Sequence, residues 1–406
     1  MINHIPEIPL LAQAASRRFA ARLAVFYGAV FGLVGTYLPF FPVWLKAVGI
    51  DPAWIGIITA VPSVTRFTVL PFVTSFAERR RAIRIAIVIA TFATAFGFSI
   101  VGTLHQPLAV LIVFALTACF WTPLVPLTDG YALKGIAHYG LDYGPLRLWG
   151  SAAFVVGALG CGLLVDIIEA KHLIWIIASV AFVGALCSLG LQKVDTGEAR
   201  TTLRKGATWL LRDRGFLAII IASALIQGSH AAYYTVASIT WQAQGLGGLT
   251  IAGLWCLGVL AEIVVFALSP RFTLSLPWYV IIGGLSACAR WVITAFDPPL
   301  MILAPIQLAH GLTFGITMLG TMGLLVHHVP GDVMARAQGY LAASTGIVMS
   351  SAAVISGLIY AHIGANVYFL MAVLSVAGAT IMWLGRRDAH RPHEKIDQPQ
   401  RLTSGG

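Results

Sequence analysis

Five ionisable residues lie in the middle of long apolar segments of this sequence: Arg66, His230, Glu262, Arg290 and His310. If those segments cross a membrane as helices, a charge at mid-span costs on the order of 3 kcal/mol on insertion scales. Each residue therefore needs a partner or a water-filled cavity. The chemistry open to such groups is proton carriage and the binding of a charged solute.

Polar side chains recur around four of these residues at spacings of three and four. This periodicity places each set on one face of a helix, and such faces are expected to line a cavity rather than contact lipid. The four sets are Thr59, Pro62, Ser63 and Arg66; Ser223, Gln227, His230, Tyr234 and Ser238; Gly283, Ala287, Arg290 and Thr294; and Gln307, His310, Thr313, Phe314 and Thr317.

Glu262 is the candidate proton carrier, because a carboxyl group in an apolar wall can load and release a proton. The structural alternative is an ion pair between helices with Arg290 or Arg66. For His230 and His310, the alternative to a functional role is a hydrogen-bonded packing residue. The residues around Glu262 on its segment are apolar: Trp255, Gly258, Val259 and Phe266.

A second pair of charges lies where two apolar segments meet. Asp129 closes one segment and Arg147 opens the next, 18 positions later, within TDGYALKGIAHYGLDYGPLRLWGSAAF. If both segments are antiparallel membrane helices, the two charges lie at the same end of adjacent helices and can approach each other. They either hold a solute or act as interfacial residues that reach water and help to set the topology.

The composition is that of a membrane protein. Of 406 residues, 58% are hydrophobic and only 10% are charged, a balance that no soluble domain has. Apolar runs long enough to cross a bilayer of roughly 30 Å as helices recur along the whole chain. The sequence therefore predicts an all-α membrane protein with twelve spans, at approximately 20–45, 53–76, 83–104, 108–131, 146–166, 172–191, 216–241, 250–269, 277–296, 299–326, 334–361 and 366–385.

The net charge of +10 reflects topology and not a nucleic-acid partner. With the first residue in the cytoplasm, 22 of the 26 Lys and Arg residues fall in cytoplasmic tails, loops or helix ends, as the positive-inside rule requires. The exceptions are Lys46, Lys171, Arg66 and Arg290. This distribution predicts a multi-pass protein of the bacterial inner membrane with both termini in the cytoplasm and in contact with anionic lipid.

The longest polar interruption, residues 192–215, divides the chain into two halves of six spans. We predict an N-terminal bundle at 1–191, a central cytoplasmic loop at 192–215, a C-terminal bundle at 216–385 and a disordered cytoplasmic tail at 386–406. A shift of 196 residues suggests a parallel internal repeat. It places Gly32 on Gly228, Ala47 on Ala243, Gly49 on Gly245, Ile55 on Ile251 and Arg66 on Glu262.

No motif indicates an enzyme. The five cysteines lie in spans without CxxC or histidine spacing, and no nucleotide-binding loop, GxSxG or HExxH occurs. His327 and His328 end the tenth span without further metal ligands. We therefore expect no catalytic activity, no cofactor and no metal, and an ion gradient as the energy source.

Three stretches resemble one branch of the major facilitator superfamily. They are YLPFFPVWLKAVGIDPAWIG, LDYGPLRLWGSAAFVVG and GLWCLGVLAEIVVF, and the branch contains aromatic-acid transporters, lactose permease and nucleoside–proton symporters. The short run SFAERRRAIR after the second span is similar to a degraded form of the loop signature of the superfamily. The resemblance covers nearly the whole chain and implies two pseudo-symmetric six-helix bundles and a monomer.

The resemblance to lactose permease also implies roles for residues. Asp129, Arg147 and the aromatic Phe154 match a substrate-binding set, and Glu262, Arg290 and His310 match a proton-coupling set. The match breaks at Thr313, where lactose permease has a glutamate. The proton would then be carried by Glu262, with His310 or His230. We add Arg66, His230 and Tyr234 to the substrate-binding set because of their polar stripes.

The sequence is thus interpreted as a proton-coupled symporter that imports a small organic solute by alternating access. Three arginines against two acids in the candidate site, among many aromatic residues, favour an aromatic carboxylate such as 3-phenylpropionate. The main alternative is a sugar or nucleoside proton symporter. A drug-efflux antiporter and a non-transporting membrane receptor are further alternatives.

Overall fold

The protein is described from a computed structural model, which covers residues 10–141, 143–194, 208–330 and 333–391. Within these ranges the chain forms helices and no strand. The helices are α1 Leu10–Ala47, α2 Pro52–Thr68, α3 Leu70–Arg79, α4 Ile83–Val101, α5 Pro107–Trp121, α6 Leu124–Tyr139, α7 Tyr143–Val165, α8 Leu173–Leu189, α9 Arg214–Gly228, α10 Ala231–Ala243, α11 Gly248–Leu268, α12 Leu276–Ala295, α13 Leu300–Leu308, α14 Thr317–His328, α15 Met334–Ile363 and α16 Val367–Ala389.

The helices account for the predicted spans. Ten stretches of the described chain are long and apolar enough to cross a membrane, and the bent pair α2 and α3 makes an eleventh. The longest stretch, Met334–Ala389, has 56 residues and contains both α15 and α16, so it covers two of the predicted spans. The prediction of an all-α, multi-pass membrane protein is confirmed.

Several spans are interrupted where the sequence weakens the helix. The axis bends by 42° between α2 and α3, where Pro71 lacks a backbone N–H and its ring crowds the preceding turn. The predicted seventh span is broken between α9 and α10 at Ser229 and His230. A π-helical segment, Gly311–Ile316, joins α13 to α14. This segment lies beside His310.

The described residues form two compact units. The first contains those of residues 1–201, together with Tyr233–Cys256 and Ala353–His362. The second contains those of residues 202–232, together with Leu257–Ala352 and those of 363–406. The first unit therefore includes parts of α10, α11 and α15 from the second half of the sequence.

The division into 1–191, 192–215, 216–385 and 386–406 stays a prediction. Residues 195–207 of the central loop and 392–406 of the tail lie outside the described residues. α16 continues to Ala389, so the last helix ends four residues later than we predicted. Arg386 and Arg387 lie in its last turn, where positive charge is favourable against the helix dipole.

The 196-residue shift recurs in the way two helices end. α1 ends at Ala47 and α10 at Ala243, and each is followed two residues later by a glycine with positive φ, 86° at Gly49 and 84° at Gly245. The backbone N–H that follows each glycine donates back five residues, from Ile50 to Leu45 and from Leu246 to Trp241, at 3.0 Å in both cases. These are two copies of a Schellman cap, whose left-handed position favours glycine.

The next helices begin at equivalent positions but are capped by different residues. The Asp51 carboxylate accepts hydrogen bonds from the first N–H groups of α2, at 2.9 and 3.1 Å. Position 247, 196 residues later, is a glycine. The first N–H groups of α11 instead donate to Asp166, which follows α7, at 2.6 and 3.1 Å. The amino end of α11 therefore depends on a carboxylate from the first half.

Glycines allow close helix contacts in the first unit. A Cβ at Gly162 on α7 would lie 2.6 Å from the carbonyl oxygen of Gly248 on α11. A Cβ at Gly56 on α2 would likewise lie 2.8 Å from the Cα of Gly357 on α15. The two contacts are equivalent under the 196-residue shift. The shift moves Gly56 of α2 to position 252 in α11, and Gly162 of α7 to position 358 in α15.

We expect Gly162→Val to force α7 and α11 apart, because a side chain at this position would overlap the α11 backbone. The neighbouring Cys161 is 1% exposed, so its thiol should become several-fold more reactive towards a maleimide. The reaction is measured by mass spectrometry of the peptide that carries Cys161. Gly160→Val is the matched control, since a Cβ there meets nothing within 4 Å. Equal labelling of the two variants would contradict this contact.

Candidate substrate and proton-coupling sites

A hydrogen-bonded chain in the second unit connects Glu262 on α11 to Arg290 on α12. His310, between α13 and the π-helical segment, lies between them. Its Nε2 is 2.8 Å from Oε1 of Glu262, and its Nδ1 is 2.9 Å from Nη1 of Arg290. The direct pair of Glu262 with Arg290 that we considered from the sequence is therefore replaced by a pair relayed through an imidazole ring.

The hydrogen-bond pattern assigns the protons on His310. Arg290 can only donate, so Nδ1 of His310 must be the acceptor. The ring proton is consequently on Nε2, from which it is donated to the carboxyl group of Glu262. His310 is neutral in this arrangement, and its two nitrogens have different and fixed roles.

Arg290 is held by further oxygen acceptors. Its Nη2 donates to Oε1 of Gln307 at 2.9 Å, and its Nη1 also donates to the hydroxyl of Thr313 at 3.3 Å. The residue is only 2% exposed. A guanidinium group in such a place needs these partners, since a buried charge without them costs several kcal/mol.

Thr313 extends the chain to His230. Nδ1 of His230 faces the carbonyl oxygens of Ile226 and Gln227, each at 3.2 Å, so it carries the proton. Nε2 is then the acceptor for the Thr313 hydroxyl, 3.0 Å away. Thr313 therefore accepts from Arg290 and donates to His230.

The local backbone makes this arrangement possible. Thr313 lies in the π-helical segment Gly311–Ile316, and π-bulges shift side chains relative to an α-helix and are frequent at functional sites. Gly258 on α11 faces His310, and a Cβ there would lie 3.3 Å from the imidazole ring. Gly311 brings its own backbone close to Ala261, whose carbonyl oxygen would be 2.7 Å from an added Cβ.

The chain is buried at one end and more accessible at the other. His230 is fully buried and His310 is 6% exposed, whereas the side chain of Glu262 is 21% exposed. Glu262 is therefore the most accessible side chain of this hydrogen-bonded chain. Chemically, Glu262 can accept a proton. The resulting loss of its negative charge would affect Arg290 through the hydrogen bonds of His310.

Asp129 and Arg147 lie in the first unit, linked by aromatic residues of α1. The hydroxyl of Tyr27 donates to Oδ1 of Asp129 at 2.7 Å. The guanidinium carbon of Arg147 lies 3.9 Å from the ring centre of Phe31 and 5.8 Å from that of Tyr27. Among the described contacts, no carboxylate forms an ion pair with Arg147.

The stack of Arg147 on Phe31 depends on Gly150, one turn further along α7. A Cβ at Gly150 would come within 2.8 Å of the Phe31 ring and 2.9 Å of Nη1 of Arg147. Arg147 itself is half-buried. A guanidinium group stacked on a ring keeps its N–H edge available for a planar anion.

The other predicted site residues divide between the two units. Phe154 is 6% exposed and lies two turns after Arg147 on α7. Arg66 on α2 and Tyr234 on α10 both lie in the first unit. The predicted substrate-binding set placed His230 with these residues. The described contacts of His230 are instead with the hydrogen-bonded chain of the second unit, which contains Arg290.

Sequence analysis missed Tyr27 and Phe31. Their spacing of four residues on an aromatic-rich span is typical of helix packing and carries no separate signal. The bridging role of Thr313 was also missed. The position was considered only as the place where lactose permease has a glutamate. In the part of the chain that the structure describes, no three His, Cys, Asp or Glu side chains group as a metal site.

We expect Thr313→Val to destabilise the second unit. The change removes the hydroxyl that links Arg290 to His230 and leaves buried polar groups with one partner fewer, a loss of about 1–3 kcal/mol. The apparent melting temperature should fall by several degrees. Thr317→Val is the matched control, since the Thr317 hydroxyl donates to a carbonyl of its own helix at 2.8 Å. An equal fall in both variants would argue against the bridge.

Comparison with known proteins places the chain among transporters. Residues 20–371 match the model of the MFS_1 like family. A probable 3-phenylpropionic acid transporter of Escherichia coli is 31% identical over 365 residues, which are 87% of this chain and 94% of that protein. A maltose permease of Geobacillus stearothermophilus is 25% identical over 93% of this chain and 98% of its own length.

Solved structures agree on the fold. The nucleoside transporter NupG superposes with a TM-score of 0.77 at 15% identity, covering 91% of this chain and 99% of its own. The human organic anion transporter MFSD10 superposes with a TM-score of 0.60 at 14% identity, covering 90% of this chain and 99% of its own. At these identities the likeness concerns the fold alone.

Proposed function

Because the chain belongs to the MFS_1-like family of the major facilitator superfamily, and is therefore a membrane transporter, we propose that it imports a small organic anion together with a proton. The observation that carries this proposal is the chain from Glu262 through His310 to Arg290. It contains one acid that is 21% exposed and one permanently charged guanidinium group that is 2% exposed. No step requires a catalysed reaction.

Glu262 is the proposed proton carrier. When it is ionised, it accepts a hydrogen bond from Nε2–H of His310, and its charge is balanced by Arg290 through the ring. When it is protonated, it becomes a neutral acid, which weakens the hydrogen bond that ties α11 to His310. Loading a proton thus changes a contact between helices, and this is what coupling to alternating access requires.

Arg147 is the proposed anion-binding group. It is half-buried, stacked on Phe31, and has a planar donor edge that matches a carboxylate. Phe31, Tyr27 and Phe154 are three of the aromatic residues on the same two helices, so an aromatic carboxylate fits the chemistry of this region. The named relative at 31% identity transports, as a probable activity, 3-phenylpropionic acid, and we propose the same class of substrate here.

A sugar or nucleoside is the second candidate. Asp129 is oriented by Tyr27 at 2.7 Å, and a carboxylate held in this way can accept hydrogen bonds from hydroxyl groups. The maltose permease among the similar proteins agrees with this choice. We propose in addition that the protein is a monomer of the bacterial inner membrane with both termini in the cytoplasm, as the distribution of Lys and Arg favours.

Proton movement in proteoliposomes tests the function. Adding 3-phenylpropionate outside should raise the external pH, whereas a disaccharide or a nucleoside should not. Glu262→Gln keeps a hydrogen-bond acceptor for His310 but cannot carry a proton. It should retain exchange of substrate across the membrane and lose both the pH change and uphill accumulation. Glu169→Gln, in an exposed loop, is the control and should behave as the wild type.

Two results would contradict this proposal. Undiminished uphill uptake by Glu262→Gln would remove Glu262 as the proton carrier. Alkalinisation with a sugar or nucleoside, and none with phenylpropionate, would replace the substrate class by the second candidate.

We expect Arg147→Lys to weaken binding of the carboxylate at least about tenfold, because an ammonium group does not replace a planar, stacked donor fork. Binding is measured by substrate protection or by calorimetry on the purified protein. The control is Arg80→Lys, another arginine that lies over a ring, with its guanidinium carbon 5.6 Å from the centre of Phe76. Unchanged affinity in Arg147→Lys would leave Arg147 as an interfacial residue.

A further inference from the structure

Two basic pockets lie away from the transport site, one in each unit. The first, of about 170 Å³, is formed at the turn between α3 and α4 and at the ends of α6 and α8. The second, of about 380 Å³, is formed at the start of α12 and the end of α16. The described lining of both contains basic residues and no acid.

The two pockets occupy equivalent places in the repeat. Under the 196-residue shift, Arg81 falls on Pro277, Ala82 on Trp278, and Val194 on His390. All six residues line their respective pockets. By the count of spans, both pockets lie at the ends of even-numbered spans, so both belong to the membrane face that the positive-inside rule assigns to the cytoplasm.

The positive charge of the two pockets comes from different positions. In the first it is supplied by Arg81, Arg84, Lys134 and Lys193. In the second it is supplied by Arg386 and Arg387, with His390 beside them, because the charge of Arg391 is balanced by Asp388 at 3.7 Å. The same place is thus basic in both units, although the basic residues do not stand at equivalent positions. The charge is therefore a property of the site and is not explained by sequence repetition alone.

The contacts of the arginines hold them at the pockets. Arg84 donates to the carbonyl oxygens of Leu191 and Leu189 at 2.6 and 3.3 Å. Arg386 lies over the ring of Trp383, with its guanidinium carbon 4.7 Å from the ring centre, and donates to the carbonyl of that residue. The side chains are therefore oriented before any ligand arrives, which lowers the entropic cost of binding.

Exposed apolar side chains border both pockets. Ile85, which lines the first pocket, is 58% exposed, and Trp278, which lines the second, is 44% exposed. Trp383, whose ring lies under Arg386, is 48% exposed. A free phosphate ion would need only the basic groups. A phospholipid would use both features, with its phosphate at the basic groups and its acyl chains on the apolar surface.

We propose that each pocket binds the phosphate of an anionic phospholipid of the cytoplasmic leaflet. Such lipids are attracted by clustered Lys and Arg residues at the membrane surface. The ligand class is a phosphodiester headgroup with acyl chains. The site is separate from the transport pathway, so the inference does not rest on the identity of the transported solute.

Native mass spectrometry of the full-length protein in neutral detergent tests this inference. Titration with phosphatidylglycerol should give two bound lipids, and phosphatidylcholine with the same chains should give fewer. Arg81→Gln/Lys134→Gln should lose one lipid, Arg386→Gln/Arg387→Gln the other, and the fourfold variant both. Since each basic residue contributes about 1 kcal/mol near such a surface, each pair should weaken its own site roughly thirtyfold.

The matched control is Arg79→Gln/Arg80→Gln, which removes the same charge from the same turn without changing the lining of the first pocket. It should retain both lipids. Equal lipid loss in the control and pocket variants, or equal binding of phosphatidylcholine, would overturn the inference. Inorganic phosphate that binds with the same dependence on the variants, while the phospholipid binds no more tightly, would also overturn it, because the occupant would then be a soluble anion.

Discussion

A permanently charged guanidinium group, 2% exposed on a membrane-spanning helix, is the constraint around which the second unit is arranged. Arg290 cannot be neutralised by losing its proton, so its neighbours must satisfy it. Gln307, His310 and Thr313 accept its hydrogen bonds, and the π-helical segment and Gly258 leave space for two of these acceptors. Leaving a buried group with one hydrogen-bond partner fewer costs about 1–3 kcal/mol, and more when the group is charged, which explains why so many local features of α11 to α14 concern this one side chain.

Arg147 represents the opposite solution to the same problem. It is half-buried and its charge is spread over the face of Phe31, so its donor edge remains open to a ligand. In the function proposed above, one arginine is a fixed charge that orients a proton acceptor and the other is a binding group. The two arginines differ in burial and in their neighbours, which are oxygen and nitrogen acceptors for Arg290 and an aromatic ring for Arg147. These differences decide between the two roles, since the side chain itself is the same.

The fold could be predicted from the sequence because a bilayer imposes a length and an apolar composition on every span. A backbone constraint likewise made Gly49 and Gly245 recognisable as equivalent, because a left-handed position after a helix favours glycine. The site was predicted only in part. Glu262, Arg290 and His310 were identified because charges are rare in spans, whereas Tyr27 and Phe31 look like ordinary packing residues. The π-helical segment and the break at Ser229 depend on contacts between helices, which the local sequence does not encode.

Because Asp166 caps α11, it limits how the halves of this chain could be exchanged with those of a relative. In the first repeat the helix after the Schellman cap is capped by its own Asp51, but in the second the equivalent position is Gly247, and a Cβ there would approach the Asp166 carboxylate to 3.3 Å. The second half therefore lacks a cap of its own. A chimeric transporter that combined this second half with the first half of a relative would lose the cap of α11, worth about 1 kcal/mol, unless that relative also carried a carboxylate after its fifth span.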